Sequence, residues 1–266
     1  MFVAAYSGGI AEIAASMLDK PFDREAALPR MYVADEKHEF KNQAESMGLV
    51  HPTHPMGANF GDLDNDGFVD FYLGTGWPEY HELMPNMLYH NKAGLAFQDV
   101  TNAVRVGHLQ KGHAVAIADF DADGDLDVFE QMGGFVPGDK FYDVLFQNPG
   151  SERNWLKVKL VGVKSNRPGV GARIHIRTTG EDGERSIYRT VQTGGSFGSS
   201  PFEQHIGLDT ASTITRLEIF WPLSGETQVF KNIGVNQRIQ ITEGNGEITR
   251  MPLDTLPSES PSKSKP

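Results

Sequence analysis

The stretch GDLDNDGFVD, residues 61–70, returns 57 residues later as ADFDADGDLD, residues 118–127. With the first Asp as position 1, carboxylates fall at positions 1, 3, 5 and 9 around a Gly at position 6. They are Asp62, Asp64, Asp66 and Asp70 around Gly67, then Asp119, Asp121, Asp123 and Asp127 around Gly124. Acids packed so closely repel one another unless a cation sits among them. A hard ion taking about six to eight oxygen ligands meets that need, and calcium suits it better than magnesium, which keeps its own water. The Gly lets the turn fold its later ligands back onto the earlier ones. Position 7, Phe68 or Asp125, offers its backbone carbonyl, which leaves the Asp125 acid as a solvated extra. Apolar Val69 and Leu126 at position 8 anchor each loop to the core. The expectation is two Ca2+ sites; an acidic surface turn without metal is the alternative, and the repeated spacing argues against it.

The offset of 57 extends beyond the loops. Tyr32 matches Tyr89, Phe40 matches Phe97, His51 matches His108, and LYHN (88–91) becomes LFQN (145–148). The unit reads as Tyr, a turn, a Phe-centred strand, a loop, an alternating strand, the acidic loop and another short strand. Short strands with Gly and Asp turns at one repeat length indicate propeller blades or a β-solenoid. Residues 1–30 read as the tail of a blade whose first part is missing (FVAAYSGG), followed by a short helical insertion. Two full units cannot close a propeller, which needs at least about four blades. Missing blades are therefore expected from a longer chain or an oligomer partner.

Near residue 150 the pattern changes to longer strands: WLKVKLVGV, ARIHIRTT, RSIYRTVQT, EQHIGL, ITRLEIFWP, TQVFKNI and RIQITEG. Some seven alternating strands in this span argue for a sandwich or small barrel. From Met251 the chain turns to Pro, Ser and Lys with nothing to bury, and a disordered tail is expected. The fold class is thus all-β. A blade remnant with an insertion (1–30) precedes a partial β-propeller of period 57 (31–150), a β-sandwich-like domain (151–250) and the tail (251–266).

Composition narrows the function. The chain has no cysteine, which excludes disulfides, thiolate metal sites and a cysteine nucleophile. The net charge is −11 and no basic stripe offsets it, a poor match to nucleic acid. No apolar run is long enough to span a bilayer, and the start lacks the charged n-region of a signal peptide.

Other motifs carry less. The second loop formally matches an EF-hand with Glu130 at position 12. However, GHAVAIADF on one side alternates like a strand, and Gly133-Gly134 breaks the segment on the other, so the flanking helices are absent. Gly194-Gly195-Ser196-Phe197-Gly198 fits the nucleophile-elbow pattern, yet His205 and Asp209 come later in the wrong order, and a Gly-rich β turn fits better. Six histidines fall between 51 and 113 (His51, His54, His81, His90, His108, His113), a set that could bind a transition metal or sit in surface turns. Residues 166–171 (NRPGVG) lack the Lys-Ser/Thr ending of a phosphate loop and read as a hairpin turn. Trp77 and Tyr80 could stack on a sugar or pack between blades.

The acidic loops with their flanks, FGDLDNDGFVDFYLG and IADFDADGDLDVFEQ, resemble FG-GAP (VCBS-type) repeats. The later segment resembles the ASPIC/UnbV domain through GVGARIHI, RTVQTGGSFGSS, His205-Ile206-Gly207-Leu208, LEIFWPLSG and ITEG. In this order the two modules are similar to the CRTAC1-like family. The resemblance implies a calcium-binding propeller and a secreted or periplasmic protein with a binding or adhesion role toward a protein or glycan. An enzyme with a hydrolytic or oxidative histidine site on the propeller face is the alternative.

Overall fold

The computed structural model describes residues 1–5, 10–76, 84–134, 141–180 and 183–253. Trp77, Tyr80, His81 and the tail from residue 254 lie outside them. The regular structure of the described chain is mostly β, arranged as sheets of three, four and three strands followed by two of four.

The first sheet is β1 (Phe2–Val3), β2 (Arg30–Ala34) and β3 (Phe40–Asn42), with helices α1 (Ile10–Met17) and α2 (Arg24–Ala27) inserted after β1. Asp23 caps α2 by accepting from the Ala26 N–H. The second sheet is a four-stranded meander of β4 (Pro55–Gly61), β5 (Asp70–Thr75), β6 (Met87–Lys92) and β7 (Ala96–Asp99). A one-turn helix α3 (Thr101–Val104) leads to the third sheet, β8 (Gly112–Ala118), β9 (Asp127–Met132) and β10 (Val144–Phe146).

The period of 57 is physical. Each acidic loop joins the first strand of its sheet to the second, β4 to β5 and β8 to β9. Tyr32 and Tyr89 lie on β2 and β6, and Phe40 and Phe97 on β3 and β7. The first sheet holds the counterparts of β5, β6 and β7, and the third those of β4, β5 and β6. Neighbouring blades pack face to face: Met31, Leu49, Phe71 and Tyr89 share one apolar cluster between the first two, and Tyr72, Val115, Ile117 and Val128 another between the second and third.

The chain then enters a sandwich. One sheet holds β11 (Asn154–Val161), β14 (Gln204–Asp209), β17 (Gln237–Thr242) and β18 (Ile248–Met251). The other holds β12 (Arg173–Gly180), β13 (Gly183–Thr190), β15 (Thr213–Phe220) and β16 (Thr227–Gly234). Period-2 alternation buries one face of each. Ile174, Ile176 and Thr178 point inward from β12, and Leu156, Val158 and Leu160 from β11, with Trp221 fully covered between them. In β15, Ile214 and Leu217 stand at opposite parity; a bulge opposite Arg177/Thr178 restores both to the core.

Two expectations are corrected here, and one pairing is new. The sandwich has eight strands, because residues 248–251 pair with β17 and so carry the ordered chain through Met251. Residues 166–171 do make a turn, with Gly169 N–H donating to Asn166 O, but it carries the chain from one sheet to the other and is no hairpin. β11 and β17 run parallel, a pairing that alternation alone does not reveal.

Candidate metal centre at the propeller–sandwich junction

Both acidic loops form the same cradle from their own backbone. Asp62 Oδ1 accepts from Gly67 N–H and Asp119 Oδ2 from Gly124 N–H, across the turn that each glycine makes at positive φ. Asp66 Oδ1 accepts from Phe68 N–H and Asp123 Oδ1 from Asp125 N–H. At position 9, Asp70 accepts from the N–H groups of Leu63 and Asn91, and Asp127 from those of Phe120 and Asn148. Asn91 and Asn148 are themselves 57 apart, and their amides reach back to Val69 O and Leu126 O. Position 4 is left-handed in both loops (Asn65 φ 57°, Ala122 φ 60°).

Three of the four expected carboxylates converge in each loop, and not the same three. Asp62, Asp64 and Asp66 bring one ligand atom each within 4.8 Å of one another, as do Asp119, Asp121 and Asp127. A third set joins Asp64 and Asp70 to His90, whose Nδ1 donates to Asp70 Oδ1 at 3.0 Å and whose Nε2 lies 3.9 Å from Asp64. In the second loop Gln147 holds the place of His90, its amide donating to Asp121 Oδ2 at 2.5 Å.

The sandwich closes over this face. Arg189 reaches from β13 to donate to Asp62 Oδ2 at 3.1 Å and to Gly67 O at 3.2 Å. Gly207 N–H donates to the same carboxylate oxygen at 3.0 Å. Arg153 pairs with Asp64 at 2.6 Å and with Asp209 at 3.1 Å. Arg185 lies over the Phe68 ring at 4.5 Å, and Lys157 pairs with Asp119. A Cβ at Gly124 would collide with the Trp155 indole, and one at Gly207 with the Asn65 backbone, so both contacts need glycine. Asn65, wholly buried, ties three parts together: its amide donates to Gly124 O and Asp125 Oδ1, and its Oδ1 accepts from His205 Nε2 at 2.7 Å.

Burial of so many acids sets their protonation. Desolvation pushes Asp62 up to about 7 against the opposing field of Arg189, with Asp66 and Asp70 adding to the rise. Burial likewise lifts Asp70 to about 6 and raises Asp66, Asp123, Asp125 and Asp127. Burial, with Lys157 and Arg189 nearby, pushes His205 down to about 3, so it sits neutral and donates from Nε2. The Asp125 side chain is a correction: it is buried, accepting from Asn65, Ser151 N–H and Ser151 Oγ, and is no solvated extra.

Two of the three sets, Asp62/Asp64/Asp66 and Asp119/Asp121/Asp127, offer oxygen alone and fit a hard cation. In the second loop, Asp121 Oδ1 is buried with no hydrogen-bond partner among the described residues. There five acids face one described ammonium, Lys157, whereas two of the four acids of the first loop pair with guanidinium groups, Asp64 with Arg153 and Asp62 with Arg189.

The remaining motifs resolve into structure. Ser196 bridges Ala58 through both backbone groups (3.1 and 2.7 Å), and Phe197 packs edge-on against His113 at 4.9 Å. The elbow-like run therefore pins the sandwich to β4. Glu130 lies on β9, fully buried and accepting from Tyr72 Oη, away from the loop it would ligate in an EF-hand. His51 bonds Ser16 and His108 accepts from Gln110 N–H, so the described histidines do not gather into one site. Sequence reasoning missed Arg153, Lys157, Arg185, Arg189 and Asn65, and named His90 only within the set of six histidines. His90 carried a signal in the 57-residue match of LYHN to LFQN, and Arg185 and Arg189 a faint one in the parity of β13.

The fold and junction define a run of propeller blades capped by a β-sandwich across paired acidic loops. Residues 162–248, the sandwich from the end of β11 to the start of β18, match the family described as ASPIC and UnbV. A solved structure similar to the chain is that of a candidate cell adhesion protein from Bacteroides ovatus, at 10% identity and a TM-score of 0.25, covering 85% of this chain and 95% of that one. No curated protein matches the chain.

Proposed function

We propose that the chain is a non-catalytic binding module of adhesion type, working outside the cytoplasm, whose propeller loops hold calcium in a structural role. The ligand class that suits such a module is a protein or a glycan. The observation that carries the calcium reading is the second loop, where Asp119, Asp121 and Asp127 converge around a buried, unpartnered oxygen with one described cation nearby. Asp119, Asp121, Asp123 and Asp127, with the Asp125 carbonyl, would hold one ion there. Asp62, Asp64, Asp66 and Asp70, with the Phe68 carbonyl, would hold a second. An ion would keep these acids charged while buried and so fasten each loop to its blade.

A non-catalytic role is supported by the fate of the candidate catalytic groups, since Ser196 is an element of docking and the described histidines are dispersed. The extracytoplasmic setting draws support from loops of this kind, which fill most readily where calcium is abundant. Among the described residues no helix is long and apolar enough to cross a membrane.

The test is a thermal melt of the calcium-stripped protein with calcium added back, beside an Asp66→Ala/Asp123→Ala double variant. Calcium at about a hundred times its Kd should add about 2.7 kcal/mol per site to the wild type and nothing to the variant. A folded wild type whose midpoint ignores calcium would end this reading.

A further inference from the structure

We infer that the third sheet is an acceptor for one extended strand of a partner polypeptide carrying an aromatic side chain, added along β10. The two blade junctions differ in what fills the seat beside the outer edge of the sheet. In the second sheet, β7 pairs with β6 and its Phe97 fills a seat on the blade before it. Phe97 N–H donates to Met47 O at 2.8 Å, and its ring meets Phe71 edge-on at 4.9 Å among Met31, Leu49 and Tyr89.

Moving Met31, Met47, Leu49, Phe71 and Tyr89 by 57 residues gives Leu88, Val104, Val106, Val128 and Phe146. All five line one groove of about 470 Å³ between the second and third sheets, apolar except where Asp64, Asp70 and His90 of the first loop and Gln147 and Asn148 also border it. The third sheet has three strands and no counterpart of β7 among the described residues. The residue at the position of Phe97 is Asn154, which has left for the sandwich and pairs there with Asp209. Val104 is 51% exposed and Leu145, on β10, is 50% exposed.

The backbone is poised in the same way. Leu88, on the outer edge of β6, accepts from Val100 N–H at 3.0 Å and donates to Thr101 Oγ1 at 2.9 Å. Leu145 is its counterpart, so its N–H and C=O face the outer edge of β10. Strand addition satisfies such an edge, and a side-chain pocket beside it gives selectivity. β7 itself shows the chemistry of the occupant, an extended segment with an apolar ring at its second residue. This inference goes beyond the calcium reading and does not depend on it.

The probe is a labelled peptide copying residues 92–100, KAGLAFQDV, titrated by fluorescence anisotropy into the whole protein in calcium. The expected result is saturable binding below about 1 mM, weakened at least about tenfold when the peptide's Phe is replaced by Ala. Val104→Arg, at a half-exposed position whose longer side chain would enter the groove, should abolish binding while the circular dichroism and melt stay those of wild type. If that variant misfolds, the Phe-to-Ala peptide still decides. Absence of binding at about 1 mM, or equal binding of the two peptides, overturns the inference. So does a concentration-dependent dimer, broken by Val104→Arg, that the peptide cannot dissociate, because the seat then belongs to a second copy. An indifferent calcium melt would count against the proposed function and leave this result untouched.

Discussion

Arg189→Gln examines the junction and the calcium reading together. The guanidinium lies 3.1 Å from an Asp62 carboxylate that is 1% exposed. Even beside Arg189, burial holds that carboxyl up near 7, so at pH 8 it is charged and relies on its partner. Removing one member of a buried pair costs about 3–5 kcal/mol, because the other charge is left uncompensated. Proton uptake by Asp62 caps the loss, which favours the lower end, about 3 kcal/mol, or a fall of some 10 °C in Tm for a chain of this size.

The assay is urea and thermal unfolding at pH 8 and pH 5, with calcium removed and with calcium restored. At pH 5, below the folded-state value, Asp62 is neutral in both proteins and the cost should shrink to about 1 kcal/mol, that of the remaining hydrogen bond to Gly67 O. At pH 8 calcium should lower the cost to a similar level, because the ion supplies the charge that Arg189 no longer does. An equal cost with and without calcium would mean that no ion reaches Asp62. A cost below about 1 kcal/mol at pH 8 in stripped protein would refute the buried pair itself.

Glu130 is fully buried and desolvation pushes its carboxyl up to about 8, so the stability it gives below its ordinary 4.5 is lost as pH rises through 8. The gap sets a ceiling of about 5 kcal/mol, and Glu130→Gln should be about 2–4 kcal/mol more stable than wild type at pH 9 but not at pH 5, read by urea titration. Asn65→Ala strands the buried partners Asp125 and His205. It should cost about 2–4 kcal/mol and split the melt into separate propeller and sandwich transitions, tracked by near-ultraviolet dichroism. Ser196→Ala keeps the backbone bridge to Ala58, so stability should stay within about 0.5 kcal/mol and any trace ester hydrolysis should be unchanged.

The repeat was legible because a blade is a local object. Its strands, loop and position-9 Asp all fall within 57 residues, and the side chains that fix its geometry recur at that offset, down to the Asn91 and Asn148 amides. The docking of the sandwich was not legible for the opposite reason. Arg189 meets Asp62 from 127 residues away, and no local pattern encodes such a contact. A faint sign existed in β13, where Arg185 and Arg189 share the inward parity of buried Ile187. Charges on a core-facing parity need acids to meet, and the loops are where this chain keeps them. Asp125 was misread on the same account: position 7 was judged by its carbonyl alone, while its side chain faces Asn65 of the neighbouring blade.

The two loops share a backbone but not an electrostatic state, and this bears on how they would fill. The first has two guanidinium groups from the sandwich paired with its acids, Arg153 on Asp64 and Arg189 on Asp62, and His90 holds Asp70 as well. Much of what an ion would offer is already present, and an ion entering there must compete with Arg153 for Asp64. The second has Lys157 on Asp119, a neutral Gln147 where His90 would be, and the unpartnered Asp121 oxygen. Calcium should therefore fill the second loop first. Titration calorimetry on stripped protein should show one tighter event removed by Asp121→Asn, and a weaker one, or none, removed by Asp64→Asn. Replacing Arg153 by Gln should strengthen the weaker event, since it frees Asp64 for the ion. If Asp64→Asn instead removes the tighter event, the guanidinium groups do not substitute for an ion, and charge balance is the wrong guide to these loops.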